Sequence, residues 1–211
     1  MVKTYITAVR HGETEWNVSR QLQGKQNSNL TENGLKQADL TAKALKDTTF
    51  DVLYTSDLRR AKETAEIINR HHKLGIRIES SLAERNFGIM EGLTQEEIQQ
   101  KYPEVYEGYM HRRETYEIPG GESLRFFYNR VTHALNIIVR EHAAKRILIV
   151  THGGVLDCMM RMIFNYPLSA PRQFSIYNAS INRFSVSDGE WFLGEWGNIA
   201  HQRSDSLSLD I

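Results

Sequence analysis

Four short segments hold the side chains with the most chemistry in them: Arg10-His11-Gly12-Glu13-Thr14 with Asn17, Ser56-Asp57-Leu58-Arg59-Arg60-Ala61, Glu84-Arg85 ahead of Gly88, and His152-Gly153-Gly154. Brought together, they supply two histidines, at least two arginines and one carboxylate. Arginine forks and the free N–H groups of a helix start bind an anion. If that anion is a phosphoryl group, the roles follow. A neutral imidazole, His11, attacks phosphorus and becomes a phosphohistidine. Its other ring nitrogen needs an acceptor to hold the tautomer, and the Gly12 carbonyl is the natural one. Arg10 and Arg60 take the equatorial oxygens and stabilise transition-state charge, with His152 as a further donor. A carboxylic acid, Glu84, protonates the leaving alkoxide and then activates water. No metal and no cofactor are required.

These side chains need a scaffold that places strand ends side by side. Residues 3–9 read as a strand running into Arg10, and Thr31 is a good N-cap for a helix with Leu35, Ala38, Ala42 and Leu45 on one face. A short apolar strand over residues 50–55 leads into a helix marked by Leu58, Ala61, Ala65 and Ile68. A brief strand follows at 76–79. Thr94 to Glu97 forms a capping box, and residues 100–120 leave the core pattern, which predicts a small cap or lid over about 94–120. A long helix starts after Ser123. Residues 146–151 read as a strand buried on both faces, with an apolar helix to Phe164 behind it. Residues 174–186 and 190–196 read as two strands around the hairpin signal Asp188-Gly189, and the last fifteen residues as a loose polar tail. Alternating strands and helices predict one α/β domain over residues 1–211, a sandwich around a mainly parallel sheet. Ligands in such sheets sit beyond the carboxyl ends of the strands, where Arg10-His11-Gly12 and Thr151-His152-Gly153 both fall.

Composition narrows the classes. Lys plus Arg and Asp plus Glu each number 26, so the formal net charge is zero. That argues against binding nucleic acid or an anionic membrane by bulk charge. One cysteine excludes a disulfide framework or a Cys-rich metal site within the chain. No signal-peptide pattern opens the sequence and no stretch has membrane-spanning length, so the expectation is a cytoplasmic protein. Trp191, Phe192 and Trp196 leave monomer and homodimer both open.

The ordered motifs resemble those of the histidine phosphatase superfamily, in its cofactor-dependent phosphoglycerate mutase-like branch. They are Arg10-His11-Gly12-Glu13-Thr14-Glu15-Trp16-Asn17, Gln23-Gly24, Leu30-Thr31-Glu32-Asn33-Gly34, Ser56 to Ala61 with Thr64-Ala65, Leu82-Ala83-Glu84-Arg85 with Gly88, Pro119-Gly120-Gly121-Glu122-Ser123, and Val150-Thr151-His152-Gly153-Gly154. The resemblance implies a three-layer α/β/α sandwich. It implies His11 as the phosphorylated nucleophile, with Arg10, Arg60 and His152 as the phosphate pocket and Glu84 as proton donor. Arg60, not Arg59, matches the family arginine because it directly precedes Ala61. Asn17 and Gly153 are matched to phosphate contacts, and Gln23 and Gly24 to the substrate mouth.

The branch contains both phosphatases and mutases. Its dedicated mutases carry a larger insertion after the acid glutamate, a proline-rich substrate segment, and Thr-Gly where this chain has Gln23-Gly24. The expectation is therefore a phosphomonoesterase for small phosphorylated metabolites, with 2,3-bisphosphoglycerate-dependent phosphoglycerate mutase, an isomerase, as the alternative. Several side chains read more simply. Arg59 and Arg85 read as flank charges, His71-His72 as a helix end without a third metal ligand, and Cys158 as core. Arg112 or Arg113, in the excursion, is a candidate for meeting a second acidic group on the substrate.

Overall fold

Strand β1 (Lys3–Arg10) is the pivot of the molecule. Its side chains alternate: Ile6 and Ala8 enter one core and Val9 the other, so both of its faces must be covered. The computed structural model describes residues 3–203. After β1 come the short helix α1 (Glu15–Val18), α2 (Glu32–Leu45), β2 (Val52–Thr55), α3 (Arg59–Asn69) and β3 (Ile76–Ile78). Next are α4 (Gln95–Lys101), α5 (Pro103–Met110), α6 (Leu124–Glu141), β4 (Arg146–Thr151), α7 (Gly153–Phe164), β5 (Ile181–Ser187) and β6 (Glu190–Asn198).

The strands form one six-stranded sheet in the order β3-β2-β4-β1-β5-β6. The β1–β4, β2–β4 and β2–β3 pairings are parallel; β5 runs antiparallel to β1, and β6 to β5. Leu135, Ile138, Val155 and Met159 of α6 and α7 pack on one face with Ile147 and Ile149. Ala38, Leu45, Ala65 and Ile68 of α2 and α3 pack on the other with Leu148 and Val150. The result is the sandwich with a mainly parallel sheet that the sequence pattern predicts, in the three-layer form that the family resemblance implies. Residues 94–120 supply α4 and α5; Ile98 of α4 and Ile118, beyond the end of α5, pack with Met90 in a third, small core.

Capping follows the sequence closely. The Thr31 hydroxyl accepts from the Gly34 N–H and Ser123 from Phe126, and Thr94 with Glu97 completes a capping box. Asp188 and Gly189 both have positive φ, 52° and 83°, as a tight two-residue hairpin demands. Two expectations need correction. The strand expected to begin at Phe174 begins at Ile181. Residues 174–180 leave the sheet because their polar groups are used elsewhere: the Ala179 N–H donates to the carbonyls of Arg10 and His11, and the Asn178 side chain donates to His11. The tail is also less loose than its composition suggests. Asn198 is still in β6, and Ala200–Gln202 form a 3-10 turn whose His201 contacts Thr41 of α2. The rest of that tail, residues 204–211, lies outside the described residues. No described helix is long and apolar enough to cross a membrane.

Candidate active site

The carboxyl ends of β1, β2 and β4 meet at one cavity of ≈ 270 Å³. Arg10, His11, Asn17, Gln23, Gly24, Arg60, Glu84 and Gly153 all line it. His152 lies beside it, fully buried, with its ring centroid 5.2 Å from that of His11. Segments as far apart in the chain as those of Arg10 and Gly153 thus converge because β1 and β4 are neighbours, with β2 next in the sheet.

His11 is 3% exposed, and its Nδ1 lies 2.7 Å from the Gly12 carbonyl. A carbonyl only accepts, so Nδ1 carries the hydrogen and Nε2 keeps its lone pair. Burial and the positive charges of Arg60 and Arg10 push this imidazole well below its usual range. The ring is thus neutral at physiological pH. His152 Nε2 lies 2.7 Å from the Ser56 hydroxyl, while its Nδ1 is buried without a protein partner. Burial, Arg60 and His11 lower its pKa in the same direction.

Arg60 is 1% exposed and donates to the carbonyls of Gly24 and Gln26, both at 2.8 Å. Arg10 donates to the Ile176 carbonyl at 2.7 Å. Burial lowers both guanidinium groups to about 10, which leaves them charged at neutral pH. The buried Nε atoms of both have no protein partner. Such unspent donors suit an anionic ligand. Glu84 accepts from the N–H groups of Arg85, at 2.8 Å, and Gly154, at 3.0 Å. A Cβ at Gly154 would displace the Glu84 carboxylate, lying 2.1 Å from its Oε1, and would meet the Phe127 ring at 3.0 Å. Asn17 is held by Thr14 and Asn178, each donating to its Oδ1 at 3.1 Å.

Several of the side chains here, Ser56 and Arg85 among them, have no role in the site on the sequence reading. Ser56 orients His152, and its only signal was its place directly after β2. Arg85, read as a flank charge, is 8% exposed and lines the cavity with Tyr109, Arg112, Asp157 and Arg172. Arg113 lines only an adjoining side pocket. Arg172 follows Pro171 in a loop that no periodicity marks. That loop is held by Arg161, which donates to Pro167 and Ala170, and by Arg112, which donates to Leu168 at 3.0 Å. Arg59 does not line the cavity, in keeping with its reading as a flank charge.

The two buried imidazoles carry a stability consequence. Each takes up a proton near pH 6.5 in the unfolded chain, but not in the folded chain until the pH is well lower. Below about 6.5 the unfolded state therefore binds more protons, and stability falls as the pH drops. Urea midpoints measured from about pH 7.5 down to about 5.5 are expected to decline; a level profile contradicts neutral burial.

The cavity is cationic and is lined by a buried histidine and a carboxylate, a combination suited to an anionic phosphoryl group. The family model for the histidine phosphatase superfamily (branch 1) matches residues 6–199, and the chain belongs to that family. It is 39% identical over 201 residues to phosphoglycerate mutase-like protein 4 of Arabidopsis thaliana, covering 93% of this chain and 86% of that protein. It is 38% identical over 204 residues to a metal-independent phosphoserine phosphatase of the same organism, covering 95% and 84%. Among solved structures, Bacillus stearothermophilus YhfR superposes with a TM-score of 0.88 at 33% identity, covering 95% of this chain and 100% of that one.

Proposed function

We propose that the protein is a metal-independent phosphomonoesterase that hydrolyses small phosphorylated metabolites through a phosphohistidine at His11. The carrying observation is the His11 tautomer: Nδ1–H is committed to Gly12, which leaves Nε2 unprotonated on a ring that lines the cationic cavity. In this reading Nε2 attacks phosphorus and the ester P–O bond breaks. Arg10, Arg60 and Asn17 hold the phosphoryl oxygens. His152 adds Nδ1, with the Ser56 hydroxyl on its other nitrogen. Glu84 gives its proton to the departing alkoxide. Water then attacks the phosphohistidine, Glu84 takes the water's proton, and inorganic phosphate leaves. The proton spent in the first half is regained in the second. Gln23, Gly24 and the loop holding Arg172 and Ile176 form the mouth. Activity undiminished in excess chelator is expected.

The far end of the cavity supports a preference for substrates with a second acidic group. Arg85, Arg112 and Arg172 gather there, opposed by Asp157, whose carboxylate is already bonded to Arg161 at 2.8 Å. Arg112→Ala is expected to raise KM about 10-fold for phosphomonoesters bearing a carboxylate and to leave 4-nitrophenyl phosphate nearly unchanged. Equal effects on both esters contradict this placement.

The same pocket supports phosphoglycerate mutase activity if water is kept from the phosphohistidine, and several relatives bear mutase or mutase-like names. The short segment between Glu84 and Pro119 favours hydrolysis, since it leaves little enclosure. The deciding experiment is a phosphate-release screen that includes 3-phosphoglycerate with and without 2,3-bisphosphoglycerate. Free phosphate is expected to exceed 2-phosphoglycerate; isomerisation greatly outpacing release overturns the phosphatase reading.

A further inference from the structure

Arg130, on α6, does not line the cavity. All five of its N–H groups are nevertheless committed, and all to the segment that presents Glu84 or to that segment's tether. Nη1 donates to the carbonyls of Ser81, at 2.9 Å, and Ala83, at 3.0 Å. Nη2 donates to the Glu84 carbonyl at 3.0 Å and to Glu122 Oε2 at 2.9 Å, and Nε donates to Glu122 Oε1 at 2.8 Å. The guanidinium also lies over the Phe127 ring, 4.8 Å from its centroid.

Glu122 ties down the other side of the same segment. Its Oε2 accepts from the Asn86 N–H at 2.9 Å, and its carbonyl accepts from Arg85 Nε and Nη2 at 3.1 and 2.8 Å. The Arg130 and Glu122 side chains are only 15% and 10% exposed. Burial alone pushes the Glu122 carboxyl up, but hydrogen bonds from Arg130 and the Asn86 N–H outweigh it and hold it below the usual range. One ion pair thus fixes backbone on both sides of Glu84. A planar fork reaches three carbonyls and a carboxylate at once; a lysine ammonium, with three donors at one point, does not.

We propose that Arg130, paired with Glu122, is the positioning residue for Glu84. It sets the backbone of residues 81–86 so that the Glu84 carboxyl stays between the N–H groups of Arg85 and Gly154. The inference rests on the proton-transfer role proposed above for Glu84. Mispositioning an acid hurts most when the leaving group needs its proton. A purely structural residue affects good and poor leaving groups alike.

The test compares kcat/KM, which covers steps through departure of the alcohol, for 4-nitrophenyl phosphate and for a simple alkyl phosphate. The variants are Arg130→Lys and Glu122→Gln, with Glu84→Gln alongside. For the first two, the alkyl ester is expected to lose about 100-fold while 4-nitrophenyl phosphate changes less than about threefold. Equal losses on both esters, or none on the alkyl ester, overturn the proposal. Leaving-group dependence in Glu84→Gln but not in Arg130→Lys or Glu122→Gln sinks this inference alone. Its absence from Glu84→Gln sinks the proton-donor reading, and the inference with it. If Arg130→Lys fails to fold, Glu122→Gln carries the comparison; if neither folds, the pair is a structural support and the proposal is wrong.

Discussion

His11→Ala is expected to lower turnover by about 10⁴-fold or more and to leave no phosphoenzyme. Alanine removes the only atom in this reading that bonds to phosphorus, and the ring's neighbours cannot replace it. His152, the second imidazole, is fully buried with Nε2 already on Ser56. The arginines stay charged and cannot attack. The expected loss is therefore in kcat, with the cationic cavity still able to bind phosphate. Rapid quenching of the wild type during turnover traps acid-labile, base-stable phosphate on the protein, and the variant traps none. Undiminished labile phosphate in His11→Ala moves the nucleophile elsewhere.

Glu84→Gln separates the two halves of the chemistry. The carboxylate accepts two backbone N–H groups, from Arg85 and Gly154. An amide accepts through one end only, so its NH₂ faces a donor, and it has no proton to release. Loss of a positioned acid costs about 10²- to 10⁴-fold. That loss is expected in kcat/KM for alkyl phosphates and only weakly for 4-nitrophenyl phosphate, whose anion leaves unaided. The second half shows separately: water attack on the phosphohistidine loses its base, so phosphoenzyme accumulates after a burst of 4-nitrophenol. A variant that hydrolyses an alkyl phosphate at the wild-type rate removes Glu84 from the mechanism.

The local pattern in the chain carried much of the fold. The β1, β4 and α7 assignments rest on runs such as Ile147-Leu148-Ile149-Val150, whose period and neighbours admit few alternatives. Residues 174–180 show where such reading stops. Phe174, Ile176 and Ile181 have strand-like composition, but the strand starts only at Ile181. Before it, hydrogen bonds from Ala179 and Asn178 to the Arg10–His11 backbone draw the chain across the cavity mouth. Those partners lie about 170 residues away, and no local signal announces them.

The same divide runs through the site. The sequence by itself determined which groups stand at the strand ends: His11 and Arg10 after β1, Arg60 at the start of α3, and His152 after β4. Their backbone positions follow from short-range periodicity and capping, which neighbouring residues control. Only the tertiary structure decided the rest. It assigned Ser56 to His152, separated Arg112 from Arg113, brought Arg172 to the mouth, and moved Arg85 from a surface charge to a cavity wall. Each of these depends on which segments pack together. That is set by burial and hydrogen bonding summed over the whole molecule, and the residue types nearby in the chain do not encode it.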